Sequence, residues 1–157
     1  MYDVAVIGCG IVGAAAAYEL SRYNCRVLVL EAKNDVANVT TKANSAILHA
    51  GYDPTPGTLM AETNVRGVAL AKELCEKLDV EREEIGSLVL AFGEEDERHL
   101  EKLYQQGLAN GVPGIELLTA DEVHALEPNV SDKVTAALYA PTAAIVSPWE
   151  YALALAE

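Results

Sequence analysis

The amino-acid sequence predicts an α/β fold, with helices packed on a parallel sheet, and three observations in its first thirty-one residues indicate this. Tyr2–Ile7 is mostly apolar and β-branched, which is typical of a buried parallel strand. A glycine-rich turn and an alanine-rich helix, Ala14–Tyr23, come next. Val27–Leu30 is a second apolar strand and ends on Glu31. Strand, turn, helix and strand in this order form the unit from which parallel sheets are built.

The turn has three glycines at G-x-G-x-x-G spacing, which allow a tight turn, a close approach to a pyrophosphate and close helix–sheet packing. The helix that follows presents free N–H groups and a positive dipole end to phosphates. Glu31 can accept hydrogen bonds from both hydroxyls of an adenosine ribose and would repel a 2′-phosphate. In this context the pattern predicts a dinucleotide site; the alternative is a glycine-rich turn in an ordinary α/β domain. The candidate cofactor-binding residues here are Gly8, Gly10, Ile11, Val12, Gly13, Glu31 and Ala32.

The composition limits the partners. The 157 residues carry a formal net charge of −13, which disfavours nucleic acid and anionic lipid as ligands. Three cysteines without metal-binding or redox spacing indicate reduced thiols. The apolar run Val4–Ala17 is preceded by no basic residues and is interrupted by glycines, so we expect no signal peptide or transmembrane segment and a cytoplasmic protein.

A polar, irregular segment follows Glu31 where a nicotinamide-binding domain would continue into another helix and strand. Its end, Ser45–Ala50, is a short apolar run that carries His49 and is expected to be buried. A Pro/Gly-rich loop, Gly51–Gly57, comes next. We interpret the segment as a second approach to the cofactor, with the polar candidates Thr40, Thr41, Lys42, Asn44 and Ser45.

The rest of the chain alternates helices and strands. The predicted elements are a helix over Leu59–Leu78, strands over Ile85–Phe92, Ile115–Leu118, Val134–Tyr139 and Ala144–Val146, a helix over Asp96–Asn110, and helices that begin at the capping box of Thr119 and at Ser147. We assign residues 1–80 to a cofactor-binding domain and 81–157 to the beginning of a mixed α+β substrate domain. The last helix has no stop signal, so we expect a fragment of a longer protein.

Two stretches resemble known flavoproteins. The first thirty-one residues resemble the FAD-binding fingerprint of the glutathione-reductase type of Rossmann-like fold, with Asn24 in place of its usual glycine. Thr40–Gly51 resembles the N-S-G-x-x-H-x-G stretch of D-amino-acid-oxidase-like FAD enzymes, with Ala46 in place of its glycine. The similarity is greatest to the branch that contains anaerobic glycerol-3-phosphate dehydrogenase and L-2-hydroxyglutarate oxidase.

This resemblance implies FAD as the cofactor and oxidation of a CH–OH or CH–NH bond by hydride transfer to the flavin. It implies a longer enzyme whose C-terminal part completes the flavin contacts and the substrate site, so this fragment alone is expected to be inactive. His49 is the candidate catalytic base, because an imidazole can take the hydroxyl proton near neutral pH. The alternative is a histidine that only forms hydrogen bonds within a buried strand.

Three functions remain open on these observations. The first is an FAD-dependent dehydrogenase or oxidase of a small anionic hydroxy compound, with glycerol 3-phosphate ranked above L-2-hydroxyglutarate or an amino acid. Its electron acceptor would be a quinone, a partner protein or oxygen. The others are a dinucleotide-binding module without catalysis and a nicotinamide-dependent enzyme. Metal-dependent hydrolase, α/β-hydrolase and ATPase motifs are missing from the sequence.

Overall fold

A computed structural model describes all residues from Met1 to Glu157, and the chain divides into two compact units. The first unit comprises Met1–Ile47, Lys72–Arg82 and Val146–Glu157. The second comprises Leu48–Ala71 and Glu83–Ile145. The chain therefore passes between the units several times. The functional division at residue 80 stays a prediction.

The first unit opens with the predicted strand–turn–helix–strand. Strands β1 (Val4–Ile7) and β2 (Val27–Leu30) pair in parallel, with Val4 opposite Val27 and Ile7 opposite Leu30. Helix α1 (Ile11–Leu20) connects them and begins three residues before its predicted start, because Gly10 has extended backbone and caps the helix. The parallel α/β arrangement is confirmed.

The predicted burial of the first strand is wrong in this structure. Residues of β1 alternate between half-buried and exposed, and Ile7 is 87% exposed. Leu30 at the end of β2 is 51% exposed. A strand is buried on both faces only when both faces of its sheet are covered, and the alternation along β1 shows that the side of this strand that carries Ala5 and Ile7 is open.

The last helix of the chain also belongs to the first unit. Helix α5 (Pro148–Ala156) begins as predicted, because the Ser147 side chain accepts a hydrogen bond from the backbone N–H of Glu150 and proline occupies the first turn. It packs against α1 through a face that includes the buried Tyr151, Ala152 and Leu155.

The second unit is built on an antiparallel sheet of three strands, β5 (Ser87–Ala91), β6 (Glu116–Thr119) and β7 (Ala136–Ala140). β7 is central, and its Leu138 lies opposite Val89 of β5 and Leu117 of β6. An antiparallel sheet with helices on it is the mixed α+β arrangement expected for this part of the chain.

Two helices of the second unit follow their predicted signals. Helix α3 (Glu94–Asn110) buries Leu100 and Leu103 in the core and ends at Gly111, whose φ of +77° is the left-handed stop that the sequence predicts. Helix α4 (Ala120–Leu126) begins at the capping box of Thr119 and Glu122, in which both reciprocal hydrogen bonds form.

The remaining elements lie where the chain passes from one unit to the other. They are the short strands β3 (Ile47–Leu48), β4 (Arg82–Glu83) and β8 (Ala144–Val146), and helix α2 (Leu59–Leu78), which begins in the second unit and ends in the first. None of the five helices is long and apolar enough to cross a membrane.

Candidate dinucleotide site and the His49 loop

The turn between β1 and α1 requires glycine at two positions, for different reasons. Gly8 has a φ of +95°, a conformation that favours glycine. A Cβ atom on Gly13 would lie 2.0 Å from the carbonyl oxygen of Gly8 and 3.4 Å from Cγ1 of Val6. The glycine at this position therefore lets the first turn of α1 pack against the end of β1, as the spacing predicts.

The N-terminus of α1 presents backbone N–H groups that no capping side chain satisfies. Gly10 caps the helix without a side-chain hydrogen bond, so the first-turn N–H groups rely on other partners. One partner is Thr41, whose hydroxyl accepts a hydrogen bond from the backbone N–H of Ile11 at 3.1 Å. A Cβ atom on Gly10 would lie 3.0 Å from that hydroxyl oxygen. Thr41 thus lies beside the glycine turn, on a segment predicted to approach the cofactor.

Glu31, at the end of β2, is held against the same turn. Its carboxylate accepts hydrogen bonds from the backbone N–H of Cys9 at 2.7 Å and from that of Lys33 at 2.8 Å. These bonds, led by that from Cys9, lower the pKa of Glu31 and keep it ionised. A carboxylate oxygen can accept more than one hydrogen bond, so the half-buried Glu31 retains capacity for ribose hydroxyls.

Cys9 takes part in this arrangement through its backbone, a role that the sequence pattern does not indicate. It lies between the first two glycines and is 4% exposed. Burial, and secondly the charge of Glu31, raise the pKa of its thiol. Because its contribution is a backbone N–H, no side-chain pattern could have predicted it.

The polar segment that contains Thr41 forms a local network. Thr40–Lys42 is one turn of 3-10 helix. The amide of Asn44 donates to the carbonyl of Thr41 at 2.6 Å, and its oxygen accepts from the N–H of Ala46 at 2.8 Å. The ammonium of Lys42 donates to the side chain of Asn38. Of the other candidates, Thr40, Ser45 and Ala32 are exposed, and so is Val12 on α1.

Ala46 occupies an unusual backbone conformation. Its φ is +62°, in the left-handed region that favours glycine. Glycine is common at this position in the D-amino-acid-oxidase-like family, which this segment resembles. The left-handed conformation gives a physical reason why glycine is preferred there. Alanine therefore keeps a glycine-type backbone here at some cost in strain.

His49 belongs to the second unit and is exposed, so the expectation of a buried histidine is wrong. It follows the two-residue strand β3 instead of lying within a buried one, and its neighbours Ala50 and Gly51 are the buried residues. The histidine lines an open cavity of about 190 Å³, whose wall includes Tyr52, Met60 and Asn64. An imidazole at a cavity wall is accessible to a substrate, as a base requires.

The structure thus brings together, within the first unit, the glycine turn, Glu31 and Thr41. First-turn N–H groups suit a pyrophosphate, and a fixed carboxylate suits a ribose, so this donor and acceptor set fits an adenine dinucleotide. No group of His, Cys, Asp and Glu side chains has the arrangement of a metal site.

Comparison with known proteins identifies the family. The family model of FAD-dependent oxidoreductases of the DAO type matches residues 3–157. The chain belongs to this family. It is 52% identical over 157 residues to a glycerol 3-phosphate dehydrogenase of Caloramator mitchellensis, covering 100% of this chain and 33% of the relative. It is 34% identical over 149 residues to the mitochondrial L-2-hydroxyglutarate dehydrogenase of Dictyostelium discoideum, covering 93% of this chain and 33% of the relative.

A solved structure supports the same grouping. The FAD-bound, dithionite-reduced L-α-glycerophosphate oxidase of Mycoplasma pneumoniae superimposes with a TM-score of 0.91 at 34% identity, over 99% of this chain and 41% of that one. The fold is therefore that of an FAD-binding member of the family. The chain spans about a third of the length of the curated relatives described above.

Proposed function

We propose that the full-length protein is an FAD-dependent dehydrogenase or oxidase that oxidises the CH–OH group of glycerol 3-phosphate. The observation that carries the proposal is the 52% identity to a glycerol 3-phosphate dehydrogenase along the whole of this chain. The FAD-bound glycerophosphate oxidase with the same fold also supports it. When bound, the flavin of FAD would accept the hydride.

The first unit would hold the adenosine and pyrophosphate part of FAD. Its supports are the glycine turn, the first-turn N–H groups of Val12 and Gly13 on α1, the N–H of Ile11, which it would share with the Thr41 hydroxyl, and the anchored carboxylate of Glu31. The segment from Thr40 to Ser45 would add polar contacts, with Thr41 beside the helix N-terminus. Ala32, next to Glu31, would contact the cofactor through its backbone.

His49 would accept the proton of the substrate hydroxyl. Its exposure at the wall of an open cavity supports this role, because a base must reach its substrate. We expect His49→Gln to lower the rate of flavin reduction by about 10²–10⁴-fold in the full-length protein, while FAD content stays unchanged. Unchanged turnover with flavin still bound would exclude His49 as the base.

The substrate is tested by anaerobic flavin bleaching. The purified full-length protein, loaded with FAD, is mixed with glycerol 3-phosphate, L-2-hydroxyglutarate or an amino acid under anaerobic conditions. We expect glycerol 3-phosphate to bleach the flavin absorbance fastest. Faster bleaching by one of the other compounds would contradict the proposed substrate.

L-2-hydroxyglutarate is the second candidate substrate. The observation that favours it is the 34% identity to an L-2-hydroxyglutarate dehydrogenase over 93% of the chain. Both compounds are small anionic secondary alcohols, so the same bleaching experiment separates them. A bound flavin that no compound bleaches would favour a dinucleotide-binding module without catalysis.

The electron acceptor and the location are also proposals. Electrons would leave the reduced flavin for a quinone, a partner protein or oxygen, and the rate of flavin reoxidation by each identifies the acceptor. We place the protein in the cytoplasm, which its three free cysteines support. Cell fractionation followed by immunoblotting tests this location.

A further inference from the structure

The loop that carries His49, here called the His49 loop (residues 49–54), lacks regular secondary structure, so its carbonyl groups need partners from outside a helix or sheet. Three side-chain amides supply them. Asn64 of α2 donates to the carbonyl of His49 at 2.5 Å. Asn110 of α3 donates to the carbonyls of Gly51 and Pro54 at 2.9 and 2.8 Å. Gln106 of α3 donates to the carbonyl of Asp53 at 3.0 Å and to that of Tyr52 at 3.5 Å.

Close packing restricts the same loop. Gly51 has a φ of +104°, and a Cβ atom there would lie 2.6 Å from Cγ2 of Val65 on α2. Gly107 of α3 meets the loop in the same way, since a Cβ atom on it would lie 3.1 Å from Cβ of Tyr52. The loop backbone is therefore held by both helices while the imidazole of His49 stays exposed.

Asn64 differs from Asn110 and Gln106 in the residue whose carbonyl it binds. It binds the carbonyl of His49 itself, and it also lines the cavity that His49 faces. A change at Asn64 would release the main chain at the residue proposed as the base. Catalytic groups depend on such fixing, because a displacement of about 1 Å can cost about 10²-fold in rate.

We infer that Asn64 is a positioning residue that sets the place of His49 in the reaction, with Asn110 and Gln106 holding the rest of the His49 loop. The inference rests on the proposed function of His49 as the base. It predicts that Asn64 acts through His49 and not by its own contact with substrate.

A double-mutant cycle in the FAD-loaded full-length protein tests this. The rate of anaerobic flavin reduction by glycerol 3-phosphate is measured for wild type, Asn64→Leu, His49→Gln and the double variant. We expect Asn64→Leu to lower the rate by about 10–100-fold in wild type but by less than about twofold in the His49→Gln background. Thr63→Val is the matched control, since its hydroxyl bonds only to carbonyls of its own helix, and it should leave the rate unchanged.

The second readout needs no substrate. Backbone hydrogen exchange of the segment 47–56 should be faster in Asn64→Leu than in wild type and in Thr63→Val, with FAD content unchanged. If Asn64→Leu does not fold, Asn64→Ser, whose side chain is too short to reach the loop, takes its place in both measurements.

The outcomes separate the two proposals. An equal loss from Asn64→Leu in both backgrounds, or no loss in either, would overturn the positioning role while His49 remains the base. Full activity of His49→Gln would instead overturn the role of His49 and the inference that depends on it. Slower flavin reduction confined to the background that contains His49, together with faster exchange in the loop, supports the inference.

Discussion

The carboxylate of Glu31 accepts a hydrogen bond from the backbone N–H of Cys9 at 2.7 Å, across 22 residues of sequence. This contact ties the end of β2 to the glycine turn after β1. It places the carboxylate proposed to bind the ribose beside the turn proposed to bind the pyrophosphate. A site fixed in this way loses less conformational entropy on binding than one that must assemble.

The hydrogen bonds of Glu31 lead us to expect that its contribution to folding stability depends on pH. Hydrogen bonds from Cys9 and Lys33 lower the pKa of Glu31 below its ordinary value of 4.5 in the folded protein. The stability that this group contributes is therefore present above pH 4.5 and is lost as the pH falls through the lowered pKa. We expect Glu31→Gln to melt at a lower temperature than wild type near neutral pH, and this gap in melting temperature should narrow as the pH falls below 4.5.

Thermal melts of the cofactor-free full-length protein, recorded across this pH range, measure the gap. Glu95→Gln removes an exposed carboxylate in the first turn of α3, remote in sequence from the turn, and serves as the control. A gap between wild type and Glu31→Gln that stays constant down to acid pH would contradict the prediction.

Gly13 and Gly67 offer a matched pair of helix glycines. A Cβ atom at Gly13 would lie 2.0 Å from the carbonyl oxygen of Gly8, whereas one at Gly67 has no atom within 4 Å. We expect Gly13→Ala to destabilise the protein by about 1–3 kcal/mol and to weaken FAD binding, because the turn must open. Gly67→Ala should stabilise it by about 0.5–1 kcal/mol. Denaturant unfolding and flavin titration measure both effects, and equal behaviour of the two variants would refute the close packing at Gly13.

Substitution of Ala46 by glycine should relieve the backbone strain at this position. Its φ of +62° suits glycine, so we expect Ala46→Gly to raise the free energy of unfolding by up to about 1 kcal/mol. Ala69 is exposed within α2, and Ala69→Gly should lower the same free energy by about 0.5–1 kcal/mol. Destabilisation by both substitutions would show that no strain is stored at Ala46.

Local signals in the sequence predicted most elements. Val27–Leu30, Leu59–Leu78 and Ala144–Val146 have the predicted boundaries, because apolar periodicity and flanking turn residues determine such elements locally. The capping box at Thr119 and the left-handed stop at Gly111 formed as predicted for the same reason. The dinucleotide turn was recognisable because its function requires glycine at fixed positions.

Features that depend on tertiary packing could not be predicted. An apolar strand sequence indicates burial on both faces, but Ile7 is exposed in this structure. His49 follows an apolar run, and only the structure shows that its neighbours are buried while it is exposed. The amides of Asn64, Gln106 and Asn110 resemble ordinary polar helix residues, since the carbonyls they bind are distant in sequence.

The binding of FAD to Glu31 variants tests the central claim most directly. FAD is titrated into the cofactor-free full-length protein, and the quenching of flavin fluorescence gives the dissociation constant for wild type, Glu31→Gln and the control Glu95→Gln. A site built on the glycine turn and Glu31 predicts binding by wild type and control, and affinity weakened by roughly tenfold to a hundredfold in Glu31→Gln. The same affinity in all three proteins, or no binding of FAD by wild type, would contradict it.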